Sequence, residues 1–130
     1  MAGRRKGTHS LTPLELRIMQ VLWREGPGNV QHVQKNLPAD SDFAYTTVQT
    51  MLNLLERKGK LKRELEGRAY VYSATITEAK ALGQGVRDLV DRMFGGSSEE
   101  LVMSLLKTRQ IDAKKLAALT EGFHKETKKP

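Results

Sequence analysis

"FAYTTVQTMLNLLERKG", residues Phe43 to Gly59, decides how this chain folds. On a helical wheel at 100° per residue with Thr46 at zero, Gln49, Thr50, Asn53 and Arg57 fall within about 60° of it. Val48, Met51, Leu52 and Leu55 gather on the opposite side, which is a core face. The first side is a row of short uncharged hydrogen-bonding groups ending in a cation, without the Glu and Lys that usually cover an exposed helix. Thr and Asn are mediocre helix formers, so placing them on an exposed face costs stability without a packing gain. A major groove gives the row a use. Base edges present donors, acceptors and thymine methyls that Gln, Asn and Thr match, while Arg57 and the basic residues near it suit phosphates. The bland alternative is an exposed helix that happens to be rich in Thr.

Upstream, Thr12-Pro13-Leu14-Glu15 opens a helix. Thr12 accepts from first-turn amides, Pro13 suits the first helical position, and Glu15 closes a capping box. Leu11 and Leu16 are placed for a hydrophobic staple, and Leu14, Ile18, Val21 and Leu22 mark the buried stripe. Trp23 reads as a core anchor. The helix ends near Arg24, because Gly26-Pro27-Gly28 cannot continue it. A second, shorter helix starts from Asn29 as cap, with Val30, Val33 and Leu37 on one side, and Pro38 stops it. The quoted segment is then the third helix of a helix-turn-helix core.

Past Gly59 the period changes. Leu61 to Leu65 and Ala69 to Ser73 alternate as two short strands, with Glu66-Gly67-Arg68 as the turn between them. Three helices followed by a hairpin is a winged helix-turn-helix. The fold class is therefore mainly α with a small β-hairpin, and the hairpin is the wing. Lys58, Lys60, Lys62, Arg63 and Arg68 lie between the end of the third helix and the wing tip, where a wing meets phosphates or an adjacent minor groove. Arg68, beside the turn glycine, is the first choice for that contact.

From Thr77 the pattern is helical again. Ala79, Leu82, Val86, Leu89, Val90 and Met93 recur at helical spacing over Glu78 to Phe94, and Gly95-Gly96 ends that helix. Ser97 to Glu100 forms a second capping box before Leu101, Val102, Leu105 and Leu106, and Asp112 caps a last helix carrying Leu116 and Leu119. Three amphipathic helices of this size are too small for an independent core and need something to bury against. Packing on the N-terminal domain is one answer, but a second copy answers this with twofold symmetry, the commonest arrangement for oligomers. The expected dimer interface is Leu82, Val86, Leu89, Val90, Met93, Leu101, Val102 and Leu105. The chain thus divides into a flexible basic arm (1–10), a winged-helix domain (11–76), a helical dimerisation domain (77–122) and a frayed tail (123–130).

Composition agrees. The chain has 130 residues and a net charge of +7, which favours an anionic partner such as double-stranded DNA. Residues 1–76 hold twelve Lys and Arg against seven Asp and Glu, so most of the excess lies with the reading head. There is no cysteine, which removes disulfides, thiolate metal sites and thiol catalysis. No signal-peptide core or membrane-length apolar run is present, and a cytoplasmic location is expected. His9, His32 and His124 are scattered without metal-ligand spacing and read as solvated side chains. The glycine pairs form no phosphate loop. Neither an enzyme nor a cofactor is indicated.

The strings "LTPLELRIMQVLWREGPGNVQHVQKNL", "AYTTVQTMLNLLERKGKLKRELEGRAYVYSATIT" and "FGGSSEELVMSLL" resemble the penicillinase-repressor family of bacterial transcription regulators, the BlaI and MecI type, over nearly residues 10 to 120. The resemblance implies a homodimeric repressor of antibiotic-resistance genes that binds a palindromic operator. It assigns Tyr45, Thr46, Thr47, Gln49 and Thr50 to the reading segment and Arg63 and Arg68 to the wing. Where the family often has Arg in "LNRL", this chain has Leu54, at the boundary of the two faces, and departs from the pattern at one phosphate contact that the resemblance would imply. The resemblance also implies derepression through a sensor-activated protease acting on β-lactamase control, with Ser104-Leu105 as the matching bond. Copper sensing, which in one branch uses C-terminal cysteines, is excluded here. Two other readings stay open. One is a ligand-gated winged-helix regulator with a small-molecule effector between its C-terminal helices, and the other is a protein-docking module without an operator.

Overall fold

The computed structural model describes residues 10–127, so all but the last residue of the expected basic arm and the final three residues of the tail lie outside the described residues. Its elements are α1 (Pro13–Glu25), α2 (Val30–Asn36), α3 (Tyr45–Arg57), β1 (Leu61–Glu66), β2 (Ala69–Ala74), α4 (Glu78–Met93), α5 (Ser98–Lys107) and α6 (Ala113–Thr127). This is the winged helix expected from the alternation of periods, extended by three further helices.

The chain forms two compact units, the first ending at Asp88 and the second beginning at Leu89. In the first, the apolar stripes of the three leading helices converge. Ile18, Met19, Val21 and Leu22 from α1, Val33 from α2, and Val48, Leu52 and Leu55 from α3 are buried together with Leu61 and Tyr72 of the hairpin. Non-directional burial of this kind supplies most of the stability. Trp23 is half-buried against that core, and its indole Nε1 donates to the carbonyl of Ile76 at 2.9 Å.

The hairpin is antiparallel, in register from Leu61 opposite Ala74 to Glu66 opposite Ala69. An isolated two-stranded hairpin is marginal in water. Here it is fastened at Tyr72, whose backbone exchanges hydrogen bonds of 3.0 and 2.8 Å with Gly28 and whose side chain is buried. Gly28 is required at that crossing because a Cβ there would run into the ring of His32. His32 is therefore not the solvated side chain the sequence suggests. Its ring is half-buried beneath the loop, and Nε2 is buried with no hydrogen-bond partner.

The ends of α1 and α3 are tied by one buried carboxylate. Glu15 is 3% exposed. Its Oε1 accepts from the Thr12 N–H at 2.9 Å, completing the capping box with the bond from Glu15 N–H to Thr12 Oγ1. Its Oε2 accepts from Lys58 Nζ at 2.5 Å, just past the end of α3. Burial pushes the Glu15 carboxyl up, but the Lys58 bond and charge together with the Thr12 bonds outweigh it, and the net displacement is below the ordinary value.

The second unit has looser burial. Gly95 and Gly96, both at positive φ, close α4, with Gly96 N–H donating to the Val90 carbonyl at 3.0 Å. Ser97 Oγ accepts from Glu100 N–H at 3.1 Å, while the Ser97 N–H goes to the Phe94 carbonyl. Only half of the expected capping box therefore forms. Asp112 caps α6 through Lys115 N–H at 2.7 Å. No residue of α5 or α6 is buried. The helix α6 runs to Thr127, past the point where a frayed tail was expected at Phe123. A single Gly122 is too weak a breaker to stop it, and His124 and Lys125 in the last turn complement the helix dipole.

Because folding favours the ionised form of Glu15, its contribution is complete above the ordinary glutamate range and lost as pH falls through the lower folded value. Glu15→Gln keeps an acceptor for the cap but removes the charge. It should cost about 1.5 kcal/mol at neutral pH and should flatten the fall in thermal midpoint expected of the wild type below about pH 4. Melts of both proteins across that range check this, and an unchanged acid limb in the variant would contradict it.

Candidate nucleic-acid interface

The helix α3 separates its two faces as its spacing requires. Val48, Leu52 and Leu55 are buried, while Thr46, Gln49, Thr50 and Arg57 are exposed together, with Tyr45 and Thr47 also exposed in its first turn. Met51 and Leu54 lie half-buried at the boundary. The N-cap residue is Ala44, which offers no side-chain bond, so the first-turn amides of α3 carry no capping group. Nothing in the reading of the sequence singled out that open end. The signal was the absence of Ser, Thr, Asp or Asn before Tyr45.

Asn53 differs from its neighbours on the row. It is half-buried, and its Oδ1 accepts from the Tyr72 hydroxyl at 2.6 Å and from Arg63 Nη1 at 3.2 Å. The wing therefore touches α3 at the middle of its polar face. The period-2 alternation of the strands sorts the wing residues. Arg63 and Leu65 of β1 share one face with Tyr70 and Tyr72 of β2, and this is the face that meets Asn53. Arg63 also lies over the Tyr70 ring at 4.3 Å from its centroid. Lys62, Glu64 and Glu66 occupy the other face.

That alternation also separates Lys62 from Arg63. Lys62 is exposed, but it points to the opposite side of the hairpin from Arg63, among two carboxylates. The tip is a two-residue loop, Gly67-Arg68, with Gly67 at φ +65°. Only Gly adopts that value without strain in the first loop position, which leaves Arg68 fully presented at the apex.

Two cations of the expected basic cluster are withdrawn from it. Lys58 is held by Glu15. Lys60 is 6% exposed, and its Nζ donates to Gln84 Oε1 of α4 at 3.2 Å. Burial pulls the Lys60 ammonium below its ordinary value; the Glu15 charge opposes this, and the charges of Lys58 and Lys80 add to it. Sequence position alone does not reveal this, since both lysines stand in a polar, charged stretch. Arg57, Arg63 and Arg68 remain as exposed cations around the α3 face of the wing.

The apolar spacing along α4 also resolves. Leu82, Val86, Leu89 and Met93 are exposed, at 51, 54, 42 and 68%. Val90 is buried within the chain at 8%, so it does not belong to an outward stripe. In α5, Leu101, Val102 and Leu105 are half-buried. The Ser104-Leu105 bond lies inside that helix, and the Ser104 carbonyl accepts from Thr108 N–H at 2.9 Å and Thr108 Oγ1 at 2.7 Å. Among the described residues no group of His, Cys, Asp and Glu is arranged to hold a metal, and no helix is long and apolar enough to cross a membrane.

Comparison with known proteins agrees with this architecture. The family model described as "Penicillinase repressor" matches residues 11–125. A penicillinase repressor from Bacillus licheniformis is 30% identical over 121 residues, covering 92% of this chain and 94% of that one. The methicillin resistance regulatory protein MecI of Staphylococcus aureus strain N315 is 15% identical over 119 residues, covering 92% and 97%. Among solved structures, that of the DNA binding domain of the repressor BlaI has 36% identity and a TM-score of 0.51, covering 58% of this chain and 93% of that domain. A winged helix carrying an uncharged polar row on α3, matched over nearly its whole length, makes this chain a member of the penicillinase repressor family, a family of transcriptional repressors rather than enzymes.

Proposed function

We propose that this DNA-binding repressor acts as a homodimer on a palindromic operator, reading bases with Thr46, Gln49 and Thr50 of α3 and holding phosphates with Arg57, Arg68 and the uncapped first turn of α3. The observation that carries the reading is the exposed row itself: hydrogen-bonding groups without carboxylates, beside a wing face whose charged group is Arg63. Tyr45 and Thr47, at the start of α3, are placed to flank the row. A phosphate at that helix end is favoured by the free amides and the helix dipole. Glu64 and Glu66 on the far face of the wing repel the backbone and favour approach from the α3 side only.

The dimer rests on α4. Leu82, Val86, Leu89 and Met93 follow one another at spacings of a single helix face, and their exposure in the monomer costs free energy that a second copy would recover. Two reading heads on one twofold axis match an inverted repeat. Control of β-lactamase or related genes is suggested by the names of the relatives. Derepression by cutting at Ser104-Leu105 requires α5 to unwind first, because a protease takes an extended strand and both flanking side chains are half-buried in a helix.

Thr46→Ala and Gln49→Ala should each relax discrimination by about 1–3 kcal/mol at one operator position. Arg68→Ala should weaken all sequences alike and reduce the salt slope by about one. Titrations of specific and mismatched duplexes at several salt concentrations separate the two behaviours; equal losses on every duplex for all three variants would remove base reading from the row. Leu89→Asp, at an exposed position, should leave the fold intact and give monomers at micromolar concentration in sedimentation. A dimer that survives would move the interface off α4. In cells carrying the cognate sensor, β-lactam exposure should convert the chain into fragments divided at Ser104-Leu105, read by mass spectrometry. Loss of operator binding with the chain intact would favour a ligand-gated regulator instead.

A further inference from the structure

Asn53 occupies the centre of the polar row, yet its carboxamide is not free to turn. Arg63 Nη1 lies 3.2 Å from one of its terminal atoms, and a guanidinium only donates, so that atom is the oxygen. This fixes the flip of the amide. The Tyr72 hydroxyl, 2.6 Å from the same atom, is therefore the donor of a second bond. Tyr72 is itself buried and held at its backbone by Gly28, so it has no freedom to release Oδ1. Both lone pairs of Oδ1 face the wing. The Nδ2 group diverges from them, and among the described residues nothing accepts from it.

A free Asn pairs with adenine by donating to N7 and accepting from the N6 amino group at once. Asn53 cannot do this, because its acceptor is occupied. We infer that Tyr72 and Arg63 make Asn53 a pure donor, so that it favours a base whose groove edge presents acceptors only, guanine through N7 and O6 or thymine through O4, over adenine, which sets an N6 donor beside its N7, and cytosine, which presents only a donor. This rests on α3 lying in a major groove, as proposed above. It makes Tyr72 a positioning residue for specificity: it touches no base, yet it decides which one Asn53 accepts. Arg63 shares the role. Its stacking on Tyr70 and its bond to Asn53 leave it supporting the reading helix from the wing.

The test is a binding selection from a pool of random-sequence duplexes, run with the full-length wild type, Asn53→Ala, Asn53→Asp and Tyr72→Phe, followed by sequencing. The position whose preference disappears in Asn53→Ala identifies the base facing Asn53. In the wild type that position should be guanine or thymine. Tyr72→Phe keeps the ring in the core but removes the shorter of the two bonds to Oδ1, opening one lone pair, and it should raise adenine at that position alone by about tenfold. Asn53→Asp keeps the bond from Tyr72 and replaces Nδ2 by an oxygen, so the preference should move to cytosine; it supplies the answer if Tyr72→Phe does not fold. Adenine at that position in the wild type would overturn the inference. So would a wild-type motif with no position sensitive to Asn53→Ala, or one unchanged in both other variants. Absence of any motif for the wild type would instead overturn the placement of α3 in the groove.

Discussion

Tyr72 is the point at which the winged domain is joined. A two-stranded hairpin does not hold its own angle, and every useful property of a wing depends on that angle. Through its backbone Tyr72 is bonded to Gly28 in the loop between α1 and α2; through its ring it enters the core, and through its hydroxyl it reaches Asn53 on α3. One residue thus fixes the hairpin to all three leading helices. The glycine at position 28 and the half-buried His32 beside it are consequences of how closely the strand and the loop approach.

A second constraint lies at the C-terminal end of α3. Glu15 serves the N-terminus of α1 and the C-terminal extension of α3 with its two oxygens. With Lys58 paired to Glu15 and Lys60 buried, the exposed cations left beside the polar row of α3 are Arg57, Arg63 and Arg68. Arg is suited to that position because it is always ionised and presents planar donors, whereas burial pulls a lysine below its ordinary value, as at Lys60. Excess charge along the sequence therefore overstates the charge facing outward.

Much of this was legible in the sequence. The capping box at Thr12 and Glu15, the cap at Asn29, the two faces of α3 and the Gly67-Arg68 turn follow from local rules, and the structure has each of them. What local rules miss is contact between elements. The burial of Lys60, the Lys58 pair, the setting of His32 and the engagement of Asn53 each depend on a partner more than ten residues away or on a neighbouring backbone. The sorting of Lys62 from Arg63 was available from strand alternation, but only once the face toward α3 was known. Val90 was grouped with its neighbours because spacing on a helix gives a face and does not say which edge of it the chain itself covers.

The most direct test of the account is a selection of random duplexes by the purified wild-type protein at physiological salt. An inverted repeat with half-sites about one helical turn apart is the expected result, since it requires both base reading by α3 and a twofold dimer. Retention of DNA without any motif would contradict it, because the arginines would then be holding phosphates alone and the polar row of α3 would have no base to read.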